Sequence, residues 1–173
     1  YGVIAEEVLE NAPDGECPYT HVFLQGGVGG LAAGVVSHFW ERYGEDRPTF
    51  IVVEPEQADC LYQSAAHGQP TRATGSTDSV MAGLACGEVS PLAWRFLQPA
   101  VDLFMTISDA EAEEAMRELA AGSHGDIPIV AGESAVAGFA ALKNLLANPE
   151  WKRQAGLTAN ARVLLISTEG ATA

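Results

Sequence analysis

Positive charge is scarce in this chain. Nine Lys and Arg stand against 23 Asp and Glu in 173 residues, a formal net charge of −14, and the only lysines are Lys143 and Lys152. That balance argues against nucleic acid and anionic membranes as main partners, since both repel an acidic protein. Cysteine is sparse too. Cys17, Cys60 and Cys86 are an odd three with no C-x-x-C pair, which argues against a disulfide framework and for a reduced, cytoplasmic compartment. The four histidines, His21, His38, His67 and His124, show no metal-ligand spacing. A charge-free run from Cys17 to Trp40 is broken by Pro18, Gln25 and five glycines, so it does not read as a membrane span. No signal peptide, internal repeat or low-complexity segment is visible. With 47% hydrophobic and 18% charged residues, the composition is that of one globular domain with a sizeable core.

What the chain has in quantity is glycine, and much of it falls in one place. His21-Val22-Phe23-Leu24-Gln25 leads into Gly26-Gly27-Val28-Gly29-Gly30, and small or apolar residues then continue to Trp40. The pattern reads as strand, glycine loop, helix. Four glycines in five positions would weaken a helix or strand interior. They suit a backbone that turns sharply and approaches a ligand closely. Peptide N–H groups at a helix start favour anions, so the loop is a candidate phosphate site. The alternative is a tight turn without a ligand. With so few cations, backbone donors must hold any phosphate.

The remaining pattern alternates helix and strand. A helix is expected over about Tyr1 to Asn11, ended by Pro13, Asp14 and Gly15. Because the chain opens at Tyr1 without Met and enters a helical pattern at once, it reads as a piece of a longer protein. Thr49 to Glu54 is a strand covered on both faces. Helices are expected over Ala58 to His67, Ser79 to Ala85, Pro91 to Gln98 and Ser134 to Ala147. Gln69 to Ser79 is a long loop. Strands are expected at Leu103 to Ile107 and Arg162 to Ser167. Ser108 and Glu111 form a capping box for a helix running to Ala121, with Gly122 beyond its end. The alternation predicts an α/β fold: a three-layer arrangement in which a parallel sheet carries helices on both faces. Ligands in such sheets bind at the carboxyl ends of the strands. Gly26 to Gly30, Glu54 and Ser167 to Gly170 all lie there.

Two readings of the glycine loop compete. Gly27-Val28-Gly29-Gly30-Leu31-Ala32 fits the dinucleotide pattern G-x-G-x-x-[GA], and Glu54 follows Gly29 by 25 residues at the next strand end, where an acid would meet a ribose hydroxyl. That would make the chain an NAD(P)-binding oxidoreductase domain. The other reading uses the whole chain. Gln25 to Leu31 resembles the phosphate loop of the fold-type II pyridoxal phosphate enzymes, and Val53-Glu54-Pro55 resembles the strand end that follows it in that group. Met81-Ala82-Gly83-Leu84-Ala85 resembles the segment over the cofactor ring. Gly132 to Gly138 resembles the Glu-containing helix start, and Leu165 to Gly170 the segment that meets the pyridine nitrogen. Tyr1 to Glu7, Thr20 to Gln25, Met81 to Glu88, Gly132-Glu133-Ser134 and Ser167 to Gly170 are similar in wording to the diaminopropionate ammonia-lyase family. Five motifs in order favour this reading.

The resemblance implies part of the fold-type II fold, pyridoxal 5′-phosphate as cofactor, and α,β-elimination of 2,3-diaminopropionate to pyruvate and ammonia. It implies backbone N–H groups of Gly26, Gly27, Val28, Gly29 and Gly30 on the phosphate, with the Val28 side chain turned away. Gly83 would lie against the cofactor, and Thr168 or Ser167 would meet the ring nitrogen. Glu133 is a further cofactor-binding candidate, although a helix dipole alone would stabilise it. No catalytic residue and no metal ligand is assigned. The Schiff-base nucleophile must be a lysine, and neither Lys143 nor Lys152 sits in a motif of that kind. The resemblance places that lysine, with the proton-transfer acids, before the glycine loop in sequence missing here. Residues 1–173 then form a single α/β region, the C-terminal part of a longer enzyme and inactive alone. The implied partners are a small amino-acid substrate, the N-terminal part of the enzyme and a second copy in a homodimer.

Overall fold

Four strands form one parallel sheet: β1 (His21–Gln25), β2 (Thr49–Pro55), β3 (Leu103–Ile107) and β4 (Val163–Leu165). The computed structural model describes residues 1–10, 12 and 15–171, with nothing said of the His124 side chain. The expected last helical residue, Asn11, and the stop residues Pro13 and Asp14 lie outside the described residues, while Gly15 has φ 90°. Strand order is β3-β2-β1-β4. The chain thus builds outward from β1 through β2 to β3, then returns to add β4 on the other side of β1. The connection reverses beside β1, and the crevice at such a reversal is where open α/β sheets bind ligands.

Strand register separates two cores. Val22 and Leu24 of β1 and Phe50 and Val52 of β2 face one layer, with Val35, Val36 and Phe39 of α2 (Gly30–Tyr43) and Leu97 of α4 (Pro91–Ala100). Phe23, Ile51 and Val53 face the other, with Ala112 and Ala115 of α5 (Asp109–Ala121) and Ala137, Ala140 and Ala141 of α6 (Ala137–Ala147). All five residues of β1 are buried. A parallel strand covered on both faces reads as a continuous apolar run for this reason. Each large side chain so buried contributes about 1.5–3 kcal/mol. The Phe39 and Phe50 rings add an edge contact at 5.9 Å and 83°.

Sequence and structure differ mainly at element ends. The first helix, α1, covers Gly2–Leu9, and the third, α3, begins at Cys60 and ends at His67. Ser79 to Ala85 yields only a 3-10 turn at Ala82–Leu84. α4 runs two residues past Gln98, through Pro99 to Ala100, because a proline costs little where the helix is already ending. The helix expected from Ser134 begins at Ala137, since the residues before it turn to meet the cavity. The last strand shortens to three residues because its expected end, Ile166-Ser167, leaves the sheet. A short helix α7 (Pro149–Gln154) went unanticipated. Its signals are present: Pro149 at the first turn, and Asn148 accepting from the Glu150 and Trp151 N–H groups.

Candidate functional site

The glycine loop joins the carboxyl end of β1 to α2. Gly29 caps α2 with φ 95°, a left-handed conformation that disfavours any side chain. Gly26 is required for a different reason. A Cβ there would lie 2.5 Å from Glu54 Cγ and 3.2 Å from the Val53 carbonyl, so the loop rests directly on the end of β2. Two of the five loop amides are already engaged: Gly26 N–H donates to the Val53 carbonyl at 2.9 Å and Gly29 N–H to the Gly26 carbonyl at 3.0 Å. Val28 N–H is directed at the Cys86 thiol. The Gly27, Gly30 and Leu31 amides have no acceptor among the described residues. The expectation of five available donors therefore narrows to Gly27 and Gly30, joined by Leu31, with the Val28 amide already directed at a thiol. They stand at the positive end of a 14-residue helix.

These residues line a cavity of about 560 Å³, within the usual range for small-molecule sites. Gly26, Gly27, Val28 and Gly30 form one wall, Gly83 and Leu84 a second, and Ser167, Thr168 and Glu169 a third. Ser134 and Gln25 also line it. Ser134 Oγ accepts from the Gly83 N–H at 3.0 Å, and the Glu169 carboxylate accepts from the Ser134 N–H at 2.6 Å. Thr168 has no hydrogen-bond partner among the described residues, and Ser167 Oγ reaches the Glu169 carbonyl at 3.4 Å. Gly29 and Glu133 are not among the residues lining the cavity. Val28 is 48% exposed. Ser134, Glu169 and Gln25 stand in the quoted motifs but were not read as site residues. The available signal was Gln25, a polar residue in a strand with no exposed face.

Glu54 does not behave as a ribose ligand. It is 1% exposed and accepts from the Leu61 N–H at 2.9 Å and the Tyr62 N–H at 2.8 Å, at the start of α3. Burial pushes its carboxyl up to about 7, against the pull of those two donors. Burial, then the Glu54 charge, pushes the Cys60 thiol up to about 12. Glu54 is therefore an internal prop beneath the loop, and the dinucleotide reading loses its ribose contact. No lysine lines the cavity among the described residues. Lys143 is held by Glu118 at 2.5 Å and Glu114 at 3.3 Å.

Backbone amides without an acceptor, neutral hydroxyls across the cavity and a switch-point position in a parallel α/β sheet make this a candidate site for a phosphorylated cofactor. The chain belongs to the pyridoxal-phosphate dependent enzyme family, whose model matches residues 1–169. It is 42% identical over 179 residues to the diaminopropionate ammonia-lyase of Salmonella typhimurium, covering 99% of this chain and 44% of the relative. The Escherichia coli K12 enzyme of that name is 36% identical over 175 residues, with the same shares. The solved holo diaminopropionate ammonia lyase from Escherichia coli superposes with a TM-score of 0.87 at 36% identity, over 98% of this chain and 43% of that chain. Serine racemase from Dictyostelium discoideum, at 19% identity and a TM-score of 0.75 over 99% of this chain and 49% of that one, shares the fold. The chain thus spans less than half the length of the curated relatives it matches. The residues fit the cofactor: backbone amides without an acceptor at a helix N-terminus suit a phosphate.

Proposed function

We propose that the chain is the C-terminal, phosphate-binding part of an enzyme that removes both amino groups of 2,3-diaminopropionate, the β-amino group by elimination and the α-amino group by hydrolysis with one water, giving pyruvate and two molecules of ammonia. The observation that carries this is the glycine loop, whose unpaired amides share one cavity with Gly83 and the Ser167–Glu169 turn. When bound, pyridoxal phosphate supplies the electron sink for loss of the α-proton and the β-amino group. The chain's own residues bind and orient. The Gly27, Gly30 and Leu31 amides hold the phosphate, joined by Val28 when its amide turns from the Cys86 thiol, while Gly26 and Gly29 set the loop's shape. Gly83 presents bare backbone to the cofactor. Thr168, or Ser167 beside it, takes the ring nitrogen; a neutral hydroxyl there leaves that nitrogen unprotonated, which suits elimination. Glu133, the further cofactor candidate, stands four residues before α6 and beside Ser134, which lines the cavity.

The reactive lysine and the proton-transfer acids come from sequence outside residues 1–173, so this part alone is inactive. We place the enzyme in the cytoplasm on its three free cysteines, and we assign it a homodimer, supported by exposed Trp40, Leu92 and Phe96. Among the described residues no helix is long and apolar enough to cross a membrane. The test is pyruvate release by the full-length enzyme with pyridoxal phosphate, from 2,3-diaminopropionate and from serine. Faster release from 2,3-diaminopropionate is expected. Release from serine alone would overturn the substrate, and tight NAD binding would overturn the class.

A further inference from the structure

Gln25 is the last residue of β1 and the residue before the cup. It is 4% exposed in a strand whose other members are all buried, so a glutamine there needs a reason. The β1–β4 ladder ends at the pair Phe23 and Leu165. Beyond it β4 leaves the sheet, and the Gln25 side chain takes over the pairing: Nε2 donates to the Ile166 carbonyl at 2.7 Å. The same nitrogen donates to the Ala135 carbonyl at 3.0 Å. Two carbonyls can be satisfied only by the amide's nitrogen, so its orientation is fixed by chemistry. Oε1 is left buried without a partner among the described residues. An apolar side chain would fill the space without stranding that acceptor. The two donated bonds are thus what the glutamine provides.

Each bond holds a different wall. Ile166 leads directly into Ser167, Thr168 and Glu169. Ala135 follows Ser134, whose hydroxyl accepts from the Gly83 N–H. Glu169 closes the circuit, its carboxylate on the Ser134 N–H and its carbonyl on the Gly132 N–H at 3.1 Å. We propose that Gln25 is a positioning residue, which fixes the Ser167–Glu169 and Ser134–Gly83 walls at a set distance from the phosphate cup. The proposal rests on the pyridoxal phosphate reading. It assigns Gln25 no contact with the phosphate itself. Loss of its two bonds should loosen the hold on the ring and leave the hold on the phosphate intact.

The test uses the full-length enzyme and two probes. Pyridoxamine phosphate carries the ring and phosphate but no aldehyde, so it reports binding without attachment to a lysine. Inorganic phosphate reports the cup alone. Gln25→Met keeps the volume and removes the donor. It should weaken pyridoxamine phosphate about tenfold, the scale of a lost buried hydrogen bond, with inorganic phosphate changed by less than about twofold. Equal weakening of both probes, or of neither, would overturn the proposal. Gln25→Glu is nearly isosteric and serves if the first variant fails to fold. Its carboxylate faces two carbonyls, but once protonated it donates one bond. Its preference for pyridoxamine phosphate over phosphate, relative to wild type, should therefore recover between pH 8 and pH 5, and a flat ratio overturns the role. Wild-type enzyme that binds inorganic phosphate but not pyridoxamine phosphate would instead remove the cofactor reading beneath it.

Discussion

A buried carboxylate under the glycine loop is a source of pH sensitivity. Glu54 titrates near 7 in the folded chain because burial disfavours its charge, against 4.5 as its ordinary value. Between those values the folded state holds a proton that the unfolded state has lost. Stability from this group is therefore full below about pH 4.5 and falls as pH rises to about 7, at roughly 1.4 kcal/mol per pH unit. Glu54→Gln should remove that slope. Urea midpoints at pH 5 and pH 8 measure it, and a variant with the wild-type difference would refute the assignment. Gly29 makes the second case. At φ 95° a Cβ would stand 2.9 Å from Leu97 Cδ1 and 3.1 Å from Ala93 Cβ. Gly29→Ala should cost roughly 2–5 kcal/mol, the sum of a left-handed residue and an overpacked core. It should also weaken binding of inorganic phosphate, read by titration calorimetry. A variant as stable as wild type would show that the loop relaxes freely.

At the scale of elements, Ser108 and Glu111 do more than start α5. Glu111 Oε2 accepts from the Ser108 N–H at 2.7 Å and its hydroxyl at 2.8 Å, while Oε1 accepts from Asn144 of α6 at 2.9 Å. One side chain thus caps a helix and ties it to its neighbour. Ser108→Ala should cost about 1 kcal/mol. Glu111→Ala should cost more, because a helix pairing is lost with the cap, and thermal unfolding of the two variants would order them. This box was legible in the sequence because its spacing is local. So were the glycine loop, the three longer strands and the helices between them, which follow from periodicity and from Pro and Gly punctuation. The missed features are non-local. Which loop amides remain free depends on Val53 across the sheet. Glu54 looked like a ligand because its partners on α3 depend on how that helix packs. Ser134 and Glu169 meet across 35 residues, which no pattern along the chain reveals. The 3-10 turn at Ala82–Leu84 replaced a full helix because Gly83 gives its amide to Ser134.

For the molecule as a whole the decisive residue is a lysine, and the fold argues against both that it has. A Schiff-base lysine must lose its proton to attack, so its environment should lower its pKa. Lys143 is shifted the other way. The hydrogen bond to Glu118 is the largest cause, with Glu114 adding to it, and together they hold the ammonium charged. Lys152 lies on α7, outside the residues that line the cavity. Neither lines the cavity. Borohydride reduction of the full-length enzyme with pyridoxal phosphate, followed by peptide mass spectrometry, should therefore find the label on a lysine outside residues 1–173. Lys143→Met and Lys152→Met should leave the extent of labelling unchanged, although Lys143→Met frees two acidic side chains and should lower stability by up to about 1 kcal/mol. A label on either residue would mean that the cofactor approaches from another side of the sheet. The glycine loop could not then be its phosphate site. Labelling elsewhere, lost when Gly29 is changed to Ala, would link the distant lysine to this cup in one active centre.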